Sequence, residues 1–169
     1  MTAKIIYIDW EGPYSFDEVA EFDDAGCDYG LYQIYGNHPL YGEQVLLYLG
    51  ATDGRTFAEK LADETDDWEL EVGLDEASVY LGHLSGPVTP EEDVWQEEID
   101  LGVKFLTYVH NPVFNARPLG VEPHPDFRHL HIVNQGDYGD LEKEISYARY
   151  LMHLENLDDF DIYGKHGEG

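Results

Sequence analysis

Apolar and polar residues alternate along residues 4–10 (KIIYIDW), a period-two pattern that predicts a strand ended by Gly12-Pro13. Ser15 followed by Glu18 makes a capping-box pattern ahead of Val19, Ala20 and Phe22, predicting a short helix over 15–22. Two further apolar segments, at about 29–35 and 44–51, are joined by the turn residues of Gly36-Asn37-His38-Pro39 and Tyr41-Gly42. That arrangement predicts a hairpin. After the turn Thr52-Asp53-Gly54, residues 56–64 switch to helical spacing at Phe57 and Leu61, and the acidic run 63–67 reads as a solvated helix end and loop.

The second half repeats the mixture. Residues 77–84 (ASVYLGHL) predict a strand, and Thr89-Pro90 with Glu92 opens a helix over about 90–110. Val94, Trp95, Ile99, Leu101, Phe105, Leu106 and Val109 form its apolar face, and Pro112 stops it. Residues 128–133 predict a fourth strand, and 140–157 a long helix with Ile145, Ala148, Leu151, Met152 and Leu154 inward. Strands and helices without regular alternation predict a mixed α+β domain with a small, mainly antiparallel sheet flanked by helices. One domain is expected over 1–169, with an acidic, glycine-rich tail over 158–169.

Charge changes this picture more than size does. Thirty-six acidic residues against nine Lys and Arg give a net charge of −27, far beyond the magnitude of about 2–8 usual for a small domain. Such a field disfavours direct DNA binding, which rests on Lys and Arg neutralising phosphates. Three readings stay open: a surface adapted to high salt, carboxylates that mimic phosphates and engage a basic or nucleic-acid-binding protein, or a plainly acidic soluble protein. A single cysteine, Cys27, excludes an intramolecular disulfide and a cysteine-built zinc site. No apolar run reaches the ~20 residues of a membrane span, and the first residues lack a secretory pattern, so a cytoplasmic location is expected.

Three short motifs then stand out in order: Gly30-Leu31-Tyr32, Tyr48-Leu49-Gly50 and Asn111-Pro112-Val113-Phe114-Asn115. With a helix after YLGAT, and with the flanking WEGPYS and HPLYG segments, they resemble the GIY-YIG endonuclease superfamily over residues 28–115. Residues 116–157 would then be a C-terminal strand-helix extension. The resemblance implies metal-dependent phosphodiester hydrolysis, with Tyr32 activating water, Tyr48 supporting it, and glycines that let a phosphate approach the backbone.

This chain departs from that pattern at its charged positions. Where the family places an arginine that forks a phosphate, Lys60 stands instead, and Arg55 lies nearby in the turn. Where a similar subgroup has a histidine, one turn later, the chain has Glu64. Counting twelve residues back from Asn115, where the family has its metal-binding glutamate, reaches Val103. An apolar side chain cannot hold Mg²⁺. Asp100 and Glu98, on the same predicted helix, are the carboxylates that could replace it. His129 and His131, alternating on the predicted fourth strand, form another candidate metal pair, with His110 and His124 elsewhere. The expectation is a pseudo-nuclease frame with a binding or regulatory role and no cofactor. The alternatives are a divergent endonuclease using Mg²⁺ or Mn²⁺, and an acidic inhibitor of a nucleic-acid-binding protein.

Overall fold

The computed structural model describes residues 4–86, 92–115 and 125–147. Six strands form one sheet: β1 (Lys4–Tyr14), β2 (Leu31–His38), β3 (Gly42–Ala51), β4 (Ser78–Ser85), β5 (Leu130–Gly136) and β6 (Glu144–Ser146). Their order across the sheet is β3-β2-β4-β1-β5-β6. Only β1 and β5 run parallel; every other pair is antiparallel. Among the described residues three helices, α1 (Phe16–Val19), α2 (Phe57–Glu71) and α3 (Glu92–His110), complete a mixed α+β fold. No helix among the described residues is long and apolar enough to cross a membrane.

Strand alternation splits the core into two layers. Leu31, Ile6, Ile8, Trp10 and Leu84 face one side and pack with Ile99, Phe105 and Leu106 of α3. Tyr32, Ile34, Val79 and Leu81 face the other side and pack with Val19 of α1 and Phe57, Leu61 and Trp68 of α2. Neighbouring residues Leu31 and Tyr32 therefore belong to opposite faces, the first covered by α3 and the second by α1 and α2.

Several elements differ from the sequence expectation for identifiable reasons. β1 runs through Gly12-Pro13 to Tyr14; proline cannot donate to the ladder, and the register with β4 shifts between Glu11 and Tyr14 to absorb it. The capping box of Ser15 and Glu18 forms, but α1 ends at Val19, after which Ala20, Glu21 and Phe22 donate to carbonyls three residues back. α2 continues through the acidic run to Glu71, because Trp68 extends the buried stripe of Phe57 and Leu61 while Asp63, Asp66 and Asp67 stay exposed.

The helix expected from residue 140 is not found over 144–146, which pair with β5 as β6, Ile145 opposite Ile132. The rest of that expected helix lies outside the described residues. Asn134 secures this edge: its amide accepts from Trp10 Nε1 at 2.9 Å and donates to the Glu142 carbonyl at 2.7 Å. The strand expected over 128–133 begins at Leu130, and His129 sits in the 3₁₀ turn Pro125–His129 before it.

Candidate functional site

The hairpin of β2 and β3 builds the site. Tyr32 lies opposite Gly50 and Ile34 opposite Tyr48, so the two tyrosines are diagonal neighbours on one face. Their ring centroids are 6.0 Å apart. Both pack toward α2, with Phe57, Leu61 and Trp68 in the same layer. Gly50 serves a different purpose from the one the resemblance implies. A Cβ there would lie 2.4 Å from the Tyr32 ring, so the missing side chain makes room for that ring rather than for a phosphate. Gly30 likewise permits close strand pairing, since a Cβ would meet the Gly82 carbonyl oxygen.

Tyr32 is fully buried. Its hydroxyl donates to the carboxylate of Glu64, at 2.9 Å from Oε1 and 3.1 Å from Oε2. Trp68 Nε1, one helical turn on, donates to the same carboxylate at 3.3 Å. Lys60 Nζ stands 3.9 Å from Glu64 and 3.1 Å from Asp53 Oδ2. Arg55 pairs with Asp63 at the surface. Both candidate phosphate-binding cations thus already face carboxylates. Burial raises the Tyr32 pKa far above its ordinary value, and the Glu64 charge pushes it further. Tyr48 moves the same way, through burial first and Glu64 second, with Lys60 opposing. A phenolate, which a tyrosine general base requires, is disfavoured on both counts.

The metal-ligand candidates do not join this cluster. Asp100 and Glu98 belong to α3, whose Gly102 approaches Leu31 on the opposite face of the sheet from Tyr32. Glu98 is paired with Lys4 at 3.5 Å, and Asp100 accepts from Gln96 at 3.1 Å. Rotating the helix cannot bring either through the sheet. The groups around Glu64 are a phenol, an indole N–H and an ammonium, all donors to a carboxylate, so that set does not fit a divalent cation either.

The histidines disperse too. His131 pairs with Glu144 at 2.8 Å, and His110 binds the Leu106 carbonyl through Nδ1 and accepts the Glu142 N–H at Nε2. His124 lies outside the described residues. Among the described residues no three metal-binding side chains cluster.

Asn115 is a structural clasp. Its side-chain oxygen accepts from Leu49 N and its amide donates to Leu49 O, both at 2.9 Å, while Phe114 N donates to Leu47 O at 2.8 Å. The segment after α3 thereby covers the free edge of β3.

Beside Tyr48 a cavity of about 360 Å³ opens, lined by Tyr48, Glu64, Asp67, Trp68, Glu71 and Phe114. Sequence reasoning noted the sign of Glu64 but missed this wall. The signal was present as the spacing 64, 67/68 and 71, which puts those side chains on one helix face once α2 is allowed to run past the acidic stretch. Comparison of the chain with known family models, curated proteins and solved structures finds no match.

Proposed function

We propose that this protein is a non-hydrolytic binding or regulatory module on a GIY-YIG-like frame, its tyrosine site closed by its own carboxylate. The observation that carries this reading is the contact between Tyr32 and Glu64: the hydroxyl that would face water or phosphate donates instead to an internal anion. A carboxylate presents two acceptor oxygens to surrounding donors, as a phosphate would. Lys60 completes the substitution by resting between Asp53 and Glu64. An incoming phosphodiester would have to displace Glu64 while approaching a chain of net charge −27.

Hydrolysis is further disfavoured by what each residue contributes. Tyr32 stays protonated and holds Glu64. Tyr48 borders the cavity, half-buried, and the carboxylate nearest it, Glu64, is already engaged by Tyr32 and Trp68. Val103 packs in the core layer on the other face. The test is incubation of plasmid and single-stranded DNA with the protein and Mg²⁺ or Mn²⁺ at moderate salt. No cleavage above background is expected; metal-dependent cleavage abolished by Tyr32→Phe would reverse the reading in favour of a divergent endonuclease.

A further inference from the structure

The cavity beside Tyr48 has walls of two kinds. Tyr48, Trp68 and Phe114 form a run of tilted rings, with centroid separations of 5.7 Å between Tyr48 and Trp68 and 6.0 Å between Trp68 and Phe114. Glu64, Asp67 and Glu71 line the same space from one face of α2. Glu64 is engaged by Tyr32 and Trp68, whereas the carboxylates of Asp67 and Glu71 have no hydrogen-bond or ion-pair partner among the described residues. Phe114 remains 38% exposed, an uncovered aromatic at the rim. At about 360 Å³ the cavity falls in the range of ~300–1,000 Å³ typical of ligand sites.

Aromatic faces attract cations through their quadrupole, and carboxylates complete the charge. A phosphate is repelled here, and a neutral apolar ligand would leave the carboxylates facing it unpaired. Among basic side chains, arginine fits both walls. Its planar guanidinium stacks on rings and forks carboxylates in two parallel hydrogen bonds, while lysine offers only a point charge.

We infer that this cavity binds an arginine side chain presented by a basic partner protein. The inference deepens the proposed function, and rests on it, by giving the binding module a ligand; the chemistry of the cavity argues for it directly. The net charge of −27 steers such a partner from a distance, and the cavity supplies the position that a diffuse charge cannot.

The experiment titrates the full chain with the capped peptide acetyl-Gly-Arg-Gly-amide, and with the same peptide carrying neutral citrulline. Calorimetry and the indole N–H resonance of Trp68 report binding. Two charge-matched variants separate the cavity from the general acidity: Asp67→Asn with Glu71→Gln inside it, and Asp17→Asn with Glu21→Gln in and just after α1, away from the cavity. The arginine peptide is expected to saturate with a shift of the Trp68 resonance, and the citrulline peptide to bind at least ~10-fold more weakly. The cavity variant and Phe114→Ala should each lose roughly 5-fold or more in affinity, while the α1 variant stays within about 2-fold.

Equal weakening by both charge variants, equal binding of citrulline, or an unmoved Trp68 resonance would overturn the inference. The DNA-cleavage assay reads the other claim separately. A protein that binds arginine and cuts DNA keeps the cavity and loses the non-hydrolytic reading; one that does neither loses the cavity alone.

Discussion

The hydroxyl of Tyr32, on β2, donates to the carboxylate of Glu64, on α2, at 2.9 Å across the interior of one core layer. This bond ties the central hairpin to its covering helix. Being charge-assisted and largely shielded from water, it should be worth about 1.5–3 kcal/mol, and partial exposure of Glu64 favours the lower end. Tyr32→Phe and Glu64→Ala should each lower the unfolding free energy, and a double-mutant cycle by urea denaturation should return a coupling of about 1.5 kcal/mol. A coupling near zero would mean that the two groups do not interact in solution.

Asn115 supports the other side of the hairpin. Its amide satisfies both backbone groups of Leu49 on the edge of β3. Asn115→Ala should cost about 2 kcal/mol by removing two hydrogen bonds. Asn115→Asp should cost at least as much, because a carboxylate cannot donate to the Leu49 carbonyl. Chemical denaturation of the two variants checks the order.

His110 gives a pH dependence of known sign. Burial lowers its pKa below the ordinary 6.5, overcoming the Leu106 carbonyl and the Glu142 charge, which act to raise it. Nε2 must stay unprotonated to accept the Glu142 N–H. The folded protein therefore binds the His110 proton less readily than the unfolded chain. Its contribution to stability is complete above pH ~6.5 and falls as the pH drops through the unfolded value toward the folded one. NMR titration should place the His110 midpoint below 6.5; a midpoint at or above it would contradict this environment.

Acidity gives the broadest prediction. Asp63, Asp66, Asp67, Glu69 and Glu71 are exposed along α2, and the last turn of that helix carries no basic residue. Like charges at this density repel, and the helix C-terminus adds to the unfavourable field. Raising salt from 0.1 to 1 M shortens the Debye length from about 10 to about 3 Å and should raise the thermal midpoint steeply. A midpoint that does not move would reject a surface adapted to salt and leave phosphate mimicry, or simple acidity, as its account.

What could be read from the chain follows the range of the interactions involved. The hairpin that brings Tyr32 beside Tyr48 and the capping box of Ser15 were legible because alternation and caps are local, whereas the capping box that Thr56 forms with Glu59 was not read from the chain. β6 was not legible: Ile145 among Glu and Lys suits a helix equally well, and its pairing with Ile132 is decided by tertiary contact. Asp100 and Glu98 looked available because spacing along a helix says nothing about which face of the sheet that helix covers. The Glu64 contact needed both the length of α2 and the space left by Gly50, and neither is a local property.

The central claim is that Glu64 closes the tyrosine site to phosphate. Titration of the wild-type protein with inorganic phosphate and with thymidine 3′,5′-bisphosphate, followed through the ring resonances of Tyr32 and Tyr48, tests it most directly. The account predicts no saturable shift at either tyrosine up to millimolar ligand at moderate salt. A saturable shift at Tyr32 that vanishes in Lys60→Gln would show an open anion site and contradict it.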